Sequence, residues 1–480
     1  IFNFGQRPFA YTPPTGYKSL CTQNLADPTI ADGSTEFKTV LRNGFGTSGG
    51  TVTVGFSPGL LWEKTRSSAG SHSLYDAVRG AGKILNSNNT NAESTDTNQV
   101  NSFTSTGYTV GTNEWSTSTT LVGWAWNAGT VANPVGDIWR TGATKYIGIK
   151  FASASGGTVS YGATAGSTTV EVWTSSDNSN WTQQGGTLTL STGHTLTTSD
   201  QYVYIRNTSN GTFTDWYAAA TNGADGHYSS ATYPNGASWS GPTYTDFDWR
   251  DDGGTLNNDG NIPSIVRANP SAGFSIVTYT GTSSGGSGNI GHGLNATPDF
   301  IIFKSRDVAD NWAIYHSSVG LAYSEFTTSG FGSGNATNRW SSLPTSSVIH
   351  LGSDTNINTK NHLIYAWSAV EGYSSFGSYT GNGSTDGVFI YTGFTPRWLL
   401  FKRHDSSSDW TIYDTARDPH NVAGNNLKPN TTGGETGPGT AVDILSNGFK
   451  FRRNSLENGG NDQYIYAAFA EHPFKTARAR

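Results

Sequence analysis

The sequence is poor in charge, almost free of sulfur and without a long apolar run. A single cysteine, Cys21, in 480 residues leaves no intrachain disulfide to form, so stability must rest on packing. Methionine is absent and the chain opens on Ile1, which reads as a start inside a longer or processed product. Charged residues make up 13%, about half the usual share. The 29 Lys and Arg are scattered singly and the formal net charge is −6. Counterion release on a phosphate backbone needs clustered cations, so nucleic acid is excluded as a partner, and so is a polybasic membrane contact. The longest apolar runs, Phe300 to Phe303 and Trp398 to Phe401, have four residues each, far below the about 20 that span a bilayer. Neither membrane insertion nor a signal peptide is expected.

What the chain does have is glycine, 60 of 480 residues, with abundant Ser, Thr and Asn and a large aromatic set of 15 Trp, 22 Tyr and 23 Phe. Disorder goes with few aromatics and high net charge, and neither applies. The mixture is that of short strands joined by many turns. At about 150 residues per domain the length suggests about three domains.

Self-comparison supplies the organising signal. Pro58, Lys64 and Tyr75 recur as Pro298, Lys304 and Tyr315, and again as Pro396, Lys402 and Tyr413, with six residues from Pro to Lys and eleven from Lys to Tyr each time. Apolar runs fill the first interval, and each copy closes on an aromatic strand: Leu121 to Trp126, Leu363 to Trp367, Tyr464 to Phe469. Trp410 and Ile412 alternate with Thr411 and Tyr413, the period of two that marks strands. The second and third prolines are 98 residues apart but the first and second 240, so an inserted module lies between. The expected boundaries are 36–132, 256–372 and 373–480 for repeats one to three, 133–255 for an inserted β-sandwich module, and 1–35 for the end of an upstream domain plus linker. The fold class expected is all-β: tandem sandwich-like repeats carrying a jelly-roll or β-sandwich insertion.

Motifs that tempt fail on chemistry. Gly55 to Gly59 fits Gly-x-Ser-x-Gly, but the residue after the serine must give its N–H to an oxyanion hole, and Pro58 has none. Gly286 to Gly291 fits a dinucleotide fingerprint, yet Gly293, Asn295 and Pro298 forbid the helix that must follow, leaving a hairpin loop. Asp76 with Arg79, and Asp414 with Arg417, lie three apart after the repeat's tyrosine, where Asp caps a turn and Arg pairs with it. Neither catalytic residues nor a metal are expected. The weak exception is a structural calcium on Asp246, Asp248, Asp251 and Asp252, whose register is broken by Arg250. Sugar binding suits the composition better, because flat aromatic faces stack on pyranose rings while Asn, Asp and Gly loops supply hydrogen bonds. The candidates in loop-like context are Trp115, Trp181, Trp239, Trp249 and Trp340, with Asp177 and Asn180 beside Trp181.

Phe2 to Pro14 resembles the last strand and exit of a SPRY domain. The threefold pattern, most clearly Phe56 to Arg66, Val266 to Gly281 and Tyr464 to Phe474, resembles tandem-repeat tail fibre and virion proteins of tailed bacteriophages, cyanophages among them. Val170 to Trp181 resembles the discoidin-like jelly roll, a frequent carbohydrate-binding module. The resemblance implies a virion structural protein on the tail or capsid surface, a fibre or spike subunit that binds host cell-surface polysaccharide beside other virion proteins. A homo-oligomer, by default a trimer, goes with fibres. Two rivals stay open: a capsid or tail decoration protein without ligand, and a polysaccharide depolymerase.

Overall fold

The computed structural model describes residues 26–112, 114–130, 139–141, 146–151, 156–163, 168–177, 180, 182–190, 194–207, 216–220, 224–229, 254–282, 288–332, 336–437 and 439–473. The fold is all-β and sandwich-like, its sheets antiparallel throughout. Among the described residues no helix is long and apolar enough to cross a membrane.

Four strands recur in the same order in each repeat. In repeat one the order is Phe37–Asn43, Thr120–Trp126, Leu60–Thr65, Ser73–Asp76. In repeat two it is Phe274–Thr280, Asn361–Trp367, Phe300–Ser305, Ala313–His316, and in repeat three Ser374–Thr380, Gln463–Pro473, Phe394–Arg403, Trp410–Asp414. The closing aromatic strand is thus central, and the register repeats as well: Leu60 faces Trp126, Phe300 faces Trp367 and Trp398 faces Phe469. A smaller sheet covers one face of each, as Gly50–Thr53, Gly107–Val110 and Val100–Thr104 do in repeat one.

An antiparallel strand with one wet face alternates polar and apolar side chains. Leu60–Thr65 and Phe300–Ser305 do not, being buried at all six positions. Their second face is covered because the three repeats pack on one another. Leu60, Trp62, Trp124 and Trp126 share a single core with Phe300, Trp312 and Trp367 and with Trp398, Trp410 and Phe469. At its centre the matching last aromatics of the three closing strands meet. Ring centroids are 6.0 Å apart for Trp126–Trp367, 5.6 Å for Trp126–Phe469 and 6.4 Å for Trp367–Phe469.

The seams repeat cyclically, so one chain builds a pseudo-threefold ring. Six residues after each repeat lysine a backbone N–H crosses to the neighbouring repeat: Asp310 to Thr90 O at 3.0 Å, Ser408 to Thr328 O at 2.8 Å and Gly70 to Thr432 O at 2.9 Å. Two residues after each lysine a carbonyl accepts across the same seam: Arg306 O from Glu93 N, His404 O from Phe331 N, Arg66 O from Glu435 N. The residue after each repeat tyrosine completes the pattern. Asp76 Oδ2 accepts from Tyr365 Oη at 2.7 Å, Asp414 Oδ2 accepts from Trp124 Nε1 at 3.0 Å, and His316 Nε2 lies 3.1 Å from Tyr466 O. The sequence pairs Asp76–Arg79 and Asp414–Arg417 are therefore buried ion pairs, with Arg Nε 2.5 Å from Asp Oδ2 in both. The lysines are buried too, and burial pulls Lys64, Lys304 and Lys402 down to a pKa of about 8.

Between repeats one and two, two further sheets form. Strands Gly157–Ala163 and His194–Thr198 belong to one, Thr168–Ser175, Tyr202–Asn207 and Tyr146–Phe151 to the other, and Val159 and Tyr161 pack against Phe151, Val170, Val172, Val203 and Ile205. The Gly-x-Ser-x-Gly segment is a turn: Gly55 has φ 110°, a backbone that glycine alone adopts freely, and the strand starts at Leu60. Gly288–Gly291 is a strand paired with Val348–Leu351, so no helix follows the second glycine motif.

Candidate functional site

Where the three repeats converge they leave a cavity of about 320 Å³. Repeat one lines it with Ser87 to Thr90, repeat two with Asn311, Trp312 and Glu325 to Thr328, and repeat three with Asp409, Asn430 and Thr431. Cyclic packing of the repeats brings these segments together. The floor is aromatic. Phe326 lies 5.6 Å from Trp62, 5.8 Å from Trp312 and 5.5 Å from Trp410, one indole from each repeat. Two of these indoles are pinned across seams, Trp312 Nε1 donating to Asn86 O and Trp410 Nε1 to Glu325 O, both at 2.8 Å.

The rim is polar and preorganised. Asn430 Oδ1 accepts from Trp410 N at 3.1 Å while its Nδ2 donates to Asp409 Oδ1 at 2.8 Å, and Lys428 Nζ reaches Asp409 Oδ2 at 2.7 Å. Burial raises the Asp409 carboxyl pKa, but the hydrogen bonds from Lys428 and Asn430 outweigh it and hold the group below the usual range. Glu325 is pushed the other way: burial raises it, and the Arg339 charge and an Asn311 hydrogen bond do not fully compensate. An ionised acceptor, a second carboxyl, amides and hydroxyls thus surround a floor whose rings are almost wholly buried, an arrangement matched to a small hydroxyl-rich molecule.

The residues expected from sequence fall elsewhere. Trp340 is 1% exposed and packs against Phe303 and Tyr315, so it presents no face to a sugar and the expectation for it is corrected. Its polar neighbours in sequence gave a loop-like context, but the ring turns into the second repeat's own core. Trp115 is half-buried at the edge of repeat one, its carbonyl bound by Gly46 N–H at 2.9 Å. Asp177 and Asn180 are exposed and bound to each other, Asn180 N to Oδ1 at 2.8 Å and Nδ2 to Oδ2 at 2.7 Å, which closes their own turn. Trp181, Trp239, Trp249 and the calcium candidates Asp246, Asp248, Asp251 and Asp252 lie outside the described residues. Among the described residues no three His, Cys, Asp or Glu side chains gather as a metal site.

Glu325, Phe326, Asp409 and Asn430 were not singled out by sequence reasoning. The one signal that could have found Asp409 is its position relative to the repeat lysine: Asp409 and Asn311 both lie seven residues after it. A wider cleft of about 480 Å³ near Pro28, Glu371, Tyr391 and Pro473 has, among the described residues, a single aromatic in its wall.

No curated protein and no solved structure matches the chain. One family profile does, over residues 32–228 and again over 194–473, so that together the two matches take in all three repeats and the insertion. The chain belongs to the family described as Domain of unknown function (DUF7483).

Proposed function

We propose that the chain is a structural protein of a bacteriophage virion, a tail fibre or spike subunit, that binds glycans on the host surface. The observation carrying the sugar-binding part is the axial cavity, with Phe326 and Trp312 beneath a rim of Asn88, Asn89, Asn311, Asn430, Asp409 and Glu325. Fixed amides and carboxylates of this kind bind the hydroxyls of a sugar. The virion part rests on the resemblance of the repeats to phage tail proteins, and an all-β body fits it. Individual contacts of this kind are weak, so many copies on one particle would give useful avidity through effective concentration.

The test is binding of the fluorescently labelled chain to a panel of intact bacteria, cyanobacteria included, with free sugars as competitors. Saturable, sugar-competed binding to a few strains is expected. Folded protein that binds no strain would overturn the glycan reading and favour a decoration protein. Release of reducing ends from host polysaccharide would move the assignment to a depolymerase.

A further inference from the structure

Asp409 is shared by two cavities. This residue also lines a second cavity of about 220 Å³, with Phe401, Thr411, Lys428, Leu456 and Tyr464. Its two oxygens serve opposite sides: Oδ1 is bound by Asn430, which lines the axial cavity, and Oδ2 by Lys428, which lines the second. Leu456, at the second cavity, is 63% exposed and has φ 57°, a left-handed backbone costly for a branched side chain. Its exposed side chain is the apolar group that this cavity offers a ligand.

The solvent-reachable charges around the second cavity are already matched. Lys428 holds Asp409, Arg403 holds Asp405 and Asp462, each at 2.7 Å, and Glu457 takes Arg453 at 3.2 Å and Tyr413 at 3.1 Å. Lys402 is buried on the carbonyls of Thr328 and Ser408. An anionic ligand would have to break one of these pairs, whereas a neutral one would not.

We infer that the ligand is a neutral oligosaccharide of at least two hexose units, one in the axial cavity and the next against Leu456, with Asp409 and Lys428 bonding hydroxyls between them. This rests on the sugar-binding reading above. Both cavities sit at or below the small end of the about 300–1,000 Å³ typical of ligand pockets, so neither alone suits a chain.

The experiment titrates the full chain with neutral hexoses and their oligomers of two to four units, by calorimetry and saturation-transfer NMR, alongside uronate oligomers of equal length. For the sugar that binds, Kd falls at least tenfold from monomer to oligomer. Leu456→Gly suits the left-handed backbone; it loses that gain, keeps the monosaccharide affinity and does not lower the melting temperature. Equal affinity for monomer and oligomer, or a Leu456→Gly chain that keeps the gain, would overturn the extended site and leave sugar binding standing. Tighter binding of the uronate series would overturn the neutral assignment. Absence of binding by every sugar would overturn both this inference and the reading beneath it.

Discussion

Asp414→Ala strikes the ring at one seam. Asp414 is fully buried and accepts from Arg417 Nε, from Trp124 Nε1 of repeat one, and from the backbone N–H groups of Ala416 and Arg417. Truncation strands the Arg417 guanidinium, itself wholly buried, with Glu435 at 3.2 Å and Ile412 O at 3.0 Å as its remaining partners. Breaking a buried pair costs about 3–5 kcal/mol, and Glu435 offsets part of that. The orphaned Trp124 N–H adds about 1–3 kcal/mol. The expected loss is about 4–6 kcal/mol, which at about 1–1.5 °C per kcal/mol for a cooperative body of this size lowers the calorimetric midpoint by about 4–9 °C. Asp414→Leu with Arg417→Met removes both charges and recovers the pair-breaking part of the loss, because apolar replacements of a buried pair are often neutral, while the Trp124 N–H stays without its acceptor. A single variant that loses less than about 1 kcal/mol, or a double variant no better than the single, would refute the claim that this pair closes the seam.

Trp312→Ala and Trp410→Ala each remove a buried indole from the shared core and cost about 3–5 kcal/mol by denaturant unfolding; unchanged midpoints would remove their core assignment. Acid destabilises the chain through its buried histidines. Burial lowers His316 and His362 from the ordinary value to about 4, so below pH 6.5 the unfolded chain takes up protons that the folded one refuses. Stability therefore falls as pH drops from about 6.5 to about 4, by about 3 kcal/mol for each histidine. His316→Gln, at the seam between repeats two and three, removes about one proton from that slope; an unchanged slope would mean that His316 is not held neutral.

Much of the architecture was legible in the sequence, because strand spacing is local. Pro, Lys and Tyr at fixed intervals fixed the equivalence of the strands, and Asp–Arg at a spacing of three announced a turn with a pair. Packing of one repeat on another leaves no such local trace. His316 occupies the seam position that Asp76 and Asp414 hold elsewhere, and a substitution of that kind hides the equivalence from pattern matching. The cavity is less legible still, since Asn88, Glu325 and Asn430 belong to different repeats and meet only when the ring closes. Trp340 shows the opposite failure: a polar stretch of chain carries one indole inward, and sequence context reports the stretch rather than the ring.

The central claim is that the axial cavity, rather than the loops of the insertion, holds the glycan. Thr328 is exposed at the cavity wall and contributes its backbone to the seam, so Thr328→Trp fills the cavity while leaving that backbone in place. The decisive measurement compares cell binding of this variant with that of Asp177→Ala/Asn180→Ala, both checked for native melting temperature. The filled cavity is expected to abolish sugar-competed binding and the loop variant to retain it. Full binding by Thr328→Trp, or loss confined to the loop variant, would contradict it.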